Sequence, residues 1–231
     1  MHIAVLMTNT DESLFALSHP KDGEKFQVLL HEARPDWRIS IFSVKDGVFP
    51  ETLDGIDGVL ITGSPASVNA PDPWIAELLA MIRKIVHRRI PMFGACFGHQ
   101  AIAKALGGAV GPNPQGWEFG LLQTHLAGQW SANQDLNLFA AHKEQVTELP
   151  PHAIAVGHTP GCSFAAFEIG RHVLTTQYHP EMTTDFMAAL IGAFGDTLPK
   201  DVTRRARTSI IGGTSSRADI RDVMVRFFEQ R

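Results

Sequence analysis

The chain of 231 residues holds only two cysteines, Cys96 and Cys162. That is too few for a disulfide framework, and they are not spaced as a CxxC metal pair, so a reducing cytoplasm is the expected setting. Charge is also in short supply. A formal net charge of −4 leaves no electrostatic footprint for nucleic acid, whose binding rests on neutralising phosphates with Lys and Arg. The short basic run TRRART (203–208) reads as a solvated face. No stretch approaches the roughly 18 apolar residues of a membrane span. The opening MHIAVLMTNTDE lacks a basic region followed by a long apolar core, so neither a membrane span nor an export signal is expected. No G-x-G-x-x-G opens a helix after the first apolar run, which argues against a dinucleotide site. Histidine is plentiful, with 11 copies, but His87, His125, His152, His158 and His172 show no ligand spacing, and Cys96-x-x-His99 lacks a second pair. No metal is expected, and no cofactor.

What remains is an ordinary globular composition, 44% hydrophobic and 19% charged, in a chain long enough to bury a sizeable core. One domain spanning 1–231 is expected. HIAVLM (2–7), WRISIFSV (37–44), DGVLITG (57–63) and IPMFGA (90–95) are short apolar runs ending at polar or glycine punctuation, and they read as strands buried on both faces. Between them lie helical patterns, KFQVLLHEA (25–33) and DPWIAELLAMIRKIVHRR (72–89). Alternating strand and helix predicts an α/β fold: an open, doubly wound, mostly parallel sheet with helices on both faces. From about residue 120 the texture changes to GLLQTHL, AIAVGH, SFAAFEI and HVLTTQYH, which predicts a few antiparallel strands and then a return to the main sheet. A helix is expected over 183–195 and another, capped by Ser216, over 216–231. The stretch between them, 198–216, is expected to be the mobile segment.

Chemistry concentrates at three corners. Gly94-Ala95-Cys96-Phe97-Gly98 has the spacing G-x-C-x-G, the cysteine version of a nucleophile elbow, in which a tight strand-to-helix turn exposes the central side chain. The helix N-terminus favours a thiolate there, and the N–H of the residue that follows can face a developing oxyanion. In QYHPE (177–181), His179 and Glu181 stand two apart around Pro180. Proline biases the residue before it toward extended geometry, in which i and i+2 face the same way, so the carboxylate can orient an imidazole that serves Cys96 as base. The third corner is Gly63-Ser64-Pro65, a loop whose N–H groups can complete an oxyanion hole. All three follow the ends of expected strands, where function gathers in a doubly wound sheet.

GACFGHQ, TGSP and QYHPE, in that order, together with GWEFGL (116–121) and AHKEQVTELPPHAIAVGHT (141–159), resemble the class I glutamine amidotransferase family, which includes the glutaminase domain of GMP synthase. The resemblance covers nearly the whole chain. It implies a flavodoxin-like fold and a Cys-His-Glu triad that attacks the γ-carbonyl of glutamine or a γ-glutamyl compound through a thioester. Carried over, Cys96 is the nucleophile, His179 the base and Glu181 its orienting carboxylate. The backbones of Ser64 and Phe97 form the oxyanion hole, and Gly63 beside them binds substrate. Gln100 contacts the bound glutamine, and His142, Lys143 and Glu144 line its amino-acid end. Departures from the family pattern at Ser64, Met182 and His-Lys-Glu fall on the pocket, not on the thiol. Cys162 reads as structural, and Trp117 either walls the site or packs.

The expected limit of such a domain falls near residue 231, and no attached synthetase domain is expected. Three readings stand: a free-standing hydrolase of glutamine or γ-glutamyl conjugates, a glutaminase subunit supplying ammonia to a separate synthase, and an idle binding or regulatory protein with the same fold.

Overall fold

The computed structural model describes residues 1–131 and 134–230. Among these residues nine strands form one sheet. β1 (His2–Met7), β2 (Arg38–Ser43), β3 (Gly58–Ile61), β4 (Met92–Ala95) and β11 (Val173–Thr176) run parallel in the order β2-β1-β3-β4-β11. Beyond β11 the sheet continues antiparallel through β10 (Ala166–Ile169), β9 (Ile154–His158), β6 (Glu118–Leu126) and β7 (Gln134–His142). A two-stranded antiparallel sheet, β5 (Ala109–Pro112) with β8 (Glu144–Glu148), lies apart.

After a one-turn helix, α1 (Leu14–Leu17), longer helices cover both faces, as a parallel sheet requires. On one side, core residues of α2 (Asp22–His31) and α7 (Arg217–Glu229) pack with Ile3, Val5, Leu60 and Phe93. On the other, α3 (Pro73–His87) and α4 (Phe97–Ala105) pack with Ala4, Leu6, Ile61 and Met92. The alternation of strand residues between these two clusters follows from the two-residue period of a strand. α3 begins as its sequence suggests, with Asp72 at the N-cap and Pro73 in the first turn.

The structure departs from the sequence pattern at two places. β2 is not buried on both faces: its residues are exposed or half-buried, because it is the edge of the sheet, where one neighbour is missing. The segment 198–216, for which the sequence suggests mobility and no helix, is largely helical. Lys200–Gly212 form a helix, α6, that buries Val202, Thr203 and Ala206. Its polar composition hides a narrow apolar stripe that docks on β6 and on α5 (Thr184–Phe194).

Gly120 of β6 permits that docking. It has φ +105°, and a Cβ there would stand 2.6 Å from Ser209 Oγ and 2.8 Å from Ala206 Cα. The same close approach lets Ser209 Oγ accept the Leu121 N–H at 2.9 Å. Gly120→Ala is therefore expected to cost about 1–3 kcal/mol through strain and overpacking. Urea unfolding measures the loss, and protease cleavage within 200–212 should increase with it.

Candidate active site

The C-terminal ends of four neighbouring strands, β1, β3, β4 and β11, deliver Thr8, Gly63, Cys96 and Gln177 to one edge of the sheet. Between β4 and α4 the chain turns so sharply that Cys96 has φ 49° and ψ −105°, strained for a residue with a side chain and costing about 1–3 kcal/mol. Two glycines make the turn possible. A Cβ on Gly94 would lie 2.7 Å from the carbonyl carbon of Gly98, and one on Gly98 would run into the Ile61 carbonyl. The corner is tied down by Cys96 N–H donating to the Thr176 carbonyl at 2.9 Å and Gly98 N–H to the Thr62 carbonyl at 3.1 Å.

His179 and Glu181 arrive from the loop after β11. His179 Nδ1 is 2.8 Å from Glu181 Oε1, and His179 N–H donates to the Phe139 carbonyl at 2.9 Å, so strand β7 braces the loop. Cys96, His179 and Glu181 are only 4%, 7% and 2% exposed. Burial alone would lower the His179 pKa, but the charge of Glu181 and the adjoining Cys96 outweigh it and raise it well above 6.5. An imidazolium is thereby favoured in the pair. His179 Nε2 is buried, without a hydrogen-bond partner among the described residues, on the ring nitrogen that Glu181 leaves free.

Gly63 stands against this pair. A Cβ there would lie 2.8 Å from His179 Cε1 and 3.5 Å from Cys96 Cβ. Thr8, which the sequence reading passed over, fixes the loop: its Oγ1 is 2.9 Å from both the Thr62 and Gly63 carbonyls. Neither the Ser64 nor the Phe97 N–H donates to another described residue, so both remain available to an oxyanion.

The remaining expected residues form the neighbouring wall. Gln100 Nε2 donates to the Glu144 carbonyl at 2.8 Å and to Gln177 Oε1 at 3.2 Å, leaving Gln100 Oε1 as its unspent group. His142 Nδ1 is 3.1 Å from the same Glu144 carbonyl. The Lys143 carbonyl accepts from Asn113 N–H at 2.8 Å, so the 142–144 loop is held largely through backbone. The Lys143 ammonium lies 5.9 Å from the centre of the Trp117 ring, which packs against the cluster containing Met182 and Phe139.

Behind the loop sits a second His–carboxylate pair that the sequence reading did not isolate. Glu118 Oε2 is 3.0 Å from His142 Nε2 and accepts from Tyr178 Oη at 3.0 Å, while Oε1 accepts from Thr159 Oγ1 at 3.2 Å. Burial raises the Glu118 pKa, but the bond and charge of His142 prevail and lower it overall. Cys162 is sealed beneath this network, its thiol pushed up to about 12 by burial and by the Glu118 charge.

No group of three or more His, Cys, Asp or Glu among the described residues is arranged to hold a metal ion, and no described helix is long and apolar enough to cross a membrane. A groove of about 540 Å³ lined by residues of 50–53 and the end of α3, including Arg83, Lys84 and Arg88, contains none of the residues at the Cys96 corner.

Residues 34–191 match the family described as glutamine amidotransferase class-I. With its fold and its sequence in agreement, the chain belongs to the class I glutamine amidotransferase family. It is similar to gamma-glutamyl peptidase 5 of Arabidopsis thaliana, 30% identical over 190 residues that cover 78% of this chain and 70% of that protein. It is also similar to gamma-glutamyl peptidase 3 of the same plant, at 31% over 163 residues, 65% of this chain and 66% of the relative. A GMP synthase [glutamine-hydrolyzing] of Vibrio cholerae is 30% identical over 132 residues, 55% of this chain and 24% of that protein. Several matches span less than two thirds of the curated relative, between 59% and 66% of its length. Among solved structures, a glutamine amidotransferase from Thermotoga maritima superposes with a TM-score of 0.76 at 19% identity, covering 99% of this chain and 98% of that one. One from Methylobacillus flagellatus gives 0.75 at 21%, covering 99% and 93%. At such identities the superpositions speak for the fold.

His99, the partner in Cys-x-x-His, is fully buried, with Nδ1 2.8 Å from Thr175 Oγ1 and its ring 5.0 Å from Phe167. Burial, with the charge of His142, lowers its pKa from 6.5 to about 3, so it is neutral at ordinary pH. Between those two values unfolding takes up a proton, and stability falls as pH falls through that window. His99→Asn should flatten this acid limb by up to one proton, about 1.4 kcal/mol per pH unit, as read from urea unfolding between pH 6.5 and pH 3. A second outcome follows from the packing at residue 63: Gly63→Ala should displace the His179 ring and lower any thiol-dependent activity about 10²-fold with little change in unfolding midpoint.

Proposed function

We propose that the protein hydrolyses the γ-glutamyl amide of glutamine or of a γ-glutamyl conjugate through a Cys96 thioester. The observation that carries the reading is the convergence of Cys96, His179 and Glu181 from two strand ends, next to two free backbone N–H groups. The similarity to gamma-glutamyl peptidases points to conjugates as well as free glutamine.

In this mechanism His179 accepts the Cys96 proton and the sulfur attacks the γ-carbonyl carbon. Negative charge collects on the carbonyl oxygen, where the N–H groups of Ser64 and Phe97 receive it without having to reorganise. The intermediate collapses to a thioester as His179 passes its proton to the departing amine. Water then gives a proton to His179 and attacks the thioester, and the thiol is regenerated as the γ-carboxylate leaves. Glu181 keeps Nδ1 toward itself and Nε2 toward the reacting atoms, and it stabilises the imidazolium. Gln100 Oε1 and the 142–144 loop are placed to receive the amino-acid end of the substrate. Two buried free thiols suit a reducing compartment such as the cytoplasm.

The similarity to a GMP synthase supports a second reading, in which the same hydrolysis supplies ammonia to a separate synthase. Purified protein incubated with glutamine and a panel of γ-glutamyl dipeptides separates the two readings. Unaided turnover of a dipeptide is expected; glutamine hydrolysis that appears only with an added synthase would favour the second. Cys96→Ala should lower turnover about 10⁴-fold or more, His179→Ala nearly as much, and Glu181→Gln one to two powers of ten less, with circular dichroism unchanged. Full activity in Cys96→Ala sinks the thioester route.

A further inference from the structure

Gln177 leaves β11 two residues ahead of His179 and is fully buried. Its backbone N–H donates to the Ala165 carbonyl at 2.7 Å, and its side chain reaches the nucleophile, with Nε2 3.7 Å from Cys96 Sγ. An amide can usually be turned over without changing its shape, but here the hydrogen bonds forbid it. The Glu144 carbonyl can only accept, so the Gln100 atom 2.8 Å away must be Nε2. The other Nε2 proton of Gln100 points at Gln177, 3.2 Å away, and that partner must be the oxygen. The nitrogen of Gln177 is then left facing the sulfur.

We propose that Gln177 is a positioning residue for the nucleophile: its amide N–H holds the Cys96 sulfur, favours the thiolate, and ties it through Gln100 to the 142–144 loop. A buried N–H directed at sulfur forms a charge-assisted bond only once the thiol is ionised. The tether begins at a loop carbonyl that also receives His142, so the wall expected to meet the substrate's amino-acid end and the attacking atom share one chain of hydrogen bonds. His179 is the titratable group beside Cys96, with Glu181 behind it on Nδ1, and both are untouched by the substitutions below. The inference rests on Cys96 being the nucleophile.

The test is the rate of Cys96 alkylation by iodoacetamide as a function of pH, followed on the labelled peptide by mass spectrometry; Cys162, buried and with its thiol pushed up to about 12, serves as the slow internal control. Gln177→Leu should slow labelling of Cys96 about tenfold near neutral pH and move the profile up by about one pH unit. Gln177→Glu, which sets a carboxylate against the sulfur, should move it further. Gln100→Met frees the Gln177 amide to turn its oxygen to the sulfur and should shift the profile in the same direction by less. It also decides the matter if the Gln177 variants do not fold. A purely structural role for Gln177 would lower stability without moving the profile, and unmoved profiles in the folded variants overturn the proposal. The readout needs no turnover: wild-type protein that labels readily at Cys96 yet cleaves no γ-glutamyl substrate refutes the proposed activity and leaves the Gln177 comparison standing.

Discussion

Everything at the candidate site depends on how closely α4 approaches β3. The missing side chain at Gly98 lets the first turn of α4 rest on the backbone of Ile61 and Thr62. That contact puts the strained Cys96 corner next to the Gly63 loop. Strain at Cys96 survives because the surrounding bonds over-determine it: one from Cys96 N–H to β11, one from Gly98 N–H to the end of β3, and the Thr8 hydroxyl holding the loop from β1. Pairing of four parallel strands, stabilised by cores on both faces, thus sets the distance between a thiol and an imidazole that are 83 residues apart (179 − 96).

Two His–carboxylate pairs flank this corner and differ in what their free nitrogen meets. In His179–Glu181 one ring nitrogen is bound and the other has no hydrogen-bond partner among the described residues. In His142–Glu118 both ring nitrogens are occupied, by a carboxylate and by the Glu144 carbonyl. A fully satisfied buried network rigidifies, while an unsatisfied buried nitrogen stores a hydrogen bond to be made later. Under the proposed mechanism the first pair moves a proton, while the second holds a loop.

The parallel half of the fold was legible because its strands are short apolar runs and its helices carry a plain three-to-four spacing: the expected 2–7 strand and 72–89 helix lie on β1 and within two residues of α3. α6 was not. Its stripe of Val202, Thr203 and Ala206 is too narrow and its composition too polar to register until β6 supplies the matching surface with Gly120. At the site, Cys96, His179 and Glu181 could be picked out because nucleophile chemistry demands unusual neighbours in sequence. Thr8, Glu118, Thr159 and Tyr178 act through contacts 19 to 60 residues away, and no local pattern reports such contacts. Gln177 lay inside a recognised motif, but which of its amide atoms faces the sulfur is a property of the folded network alone.

The two cysteines show how far environment outweighs residue type. Both are buried and free. Cys162 lies in a turn beneath Glu118, where burial and a nearby negative charge both oppose ionisation, so its thiol is inert packing. Cys96 is equally hidden, yet it stands at a helix N-terminus with an imidazole beside it and an amide nitrogen 3.7 Å from its sulfur. Burial is common to both, so the two thiols differ in the groups that replace water: an amide N–H and an imidazole at Cys96, a carboxylate at Cys162.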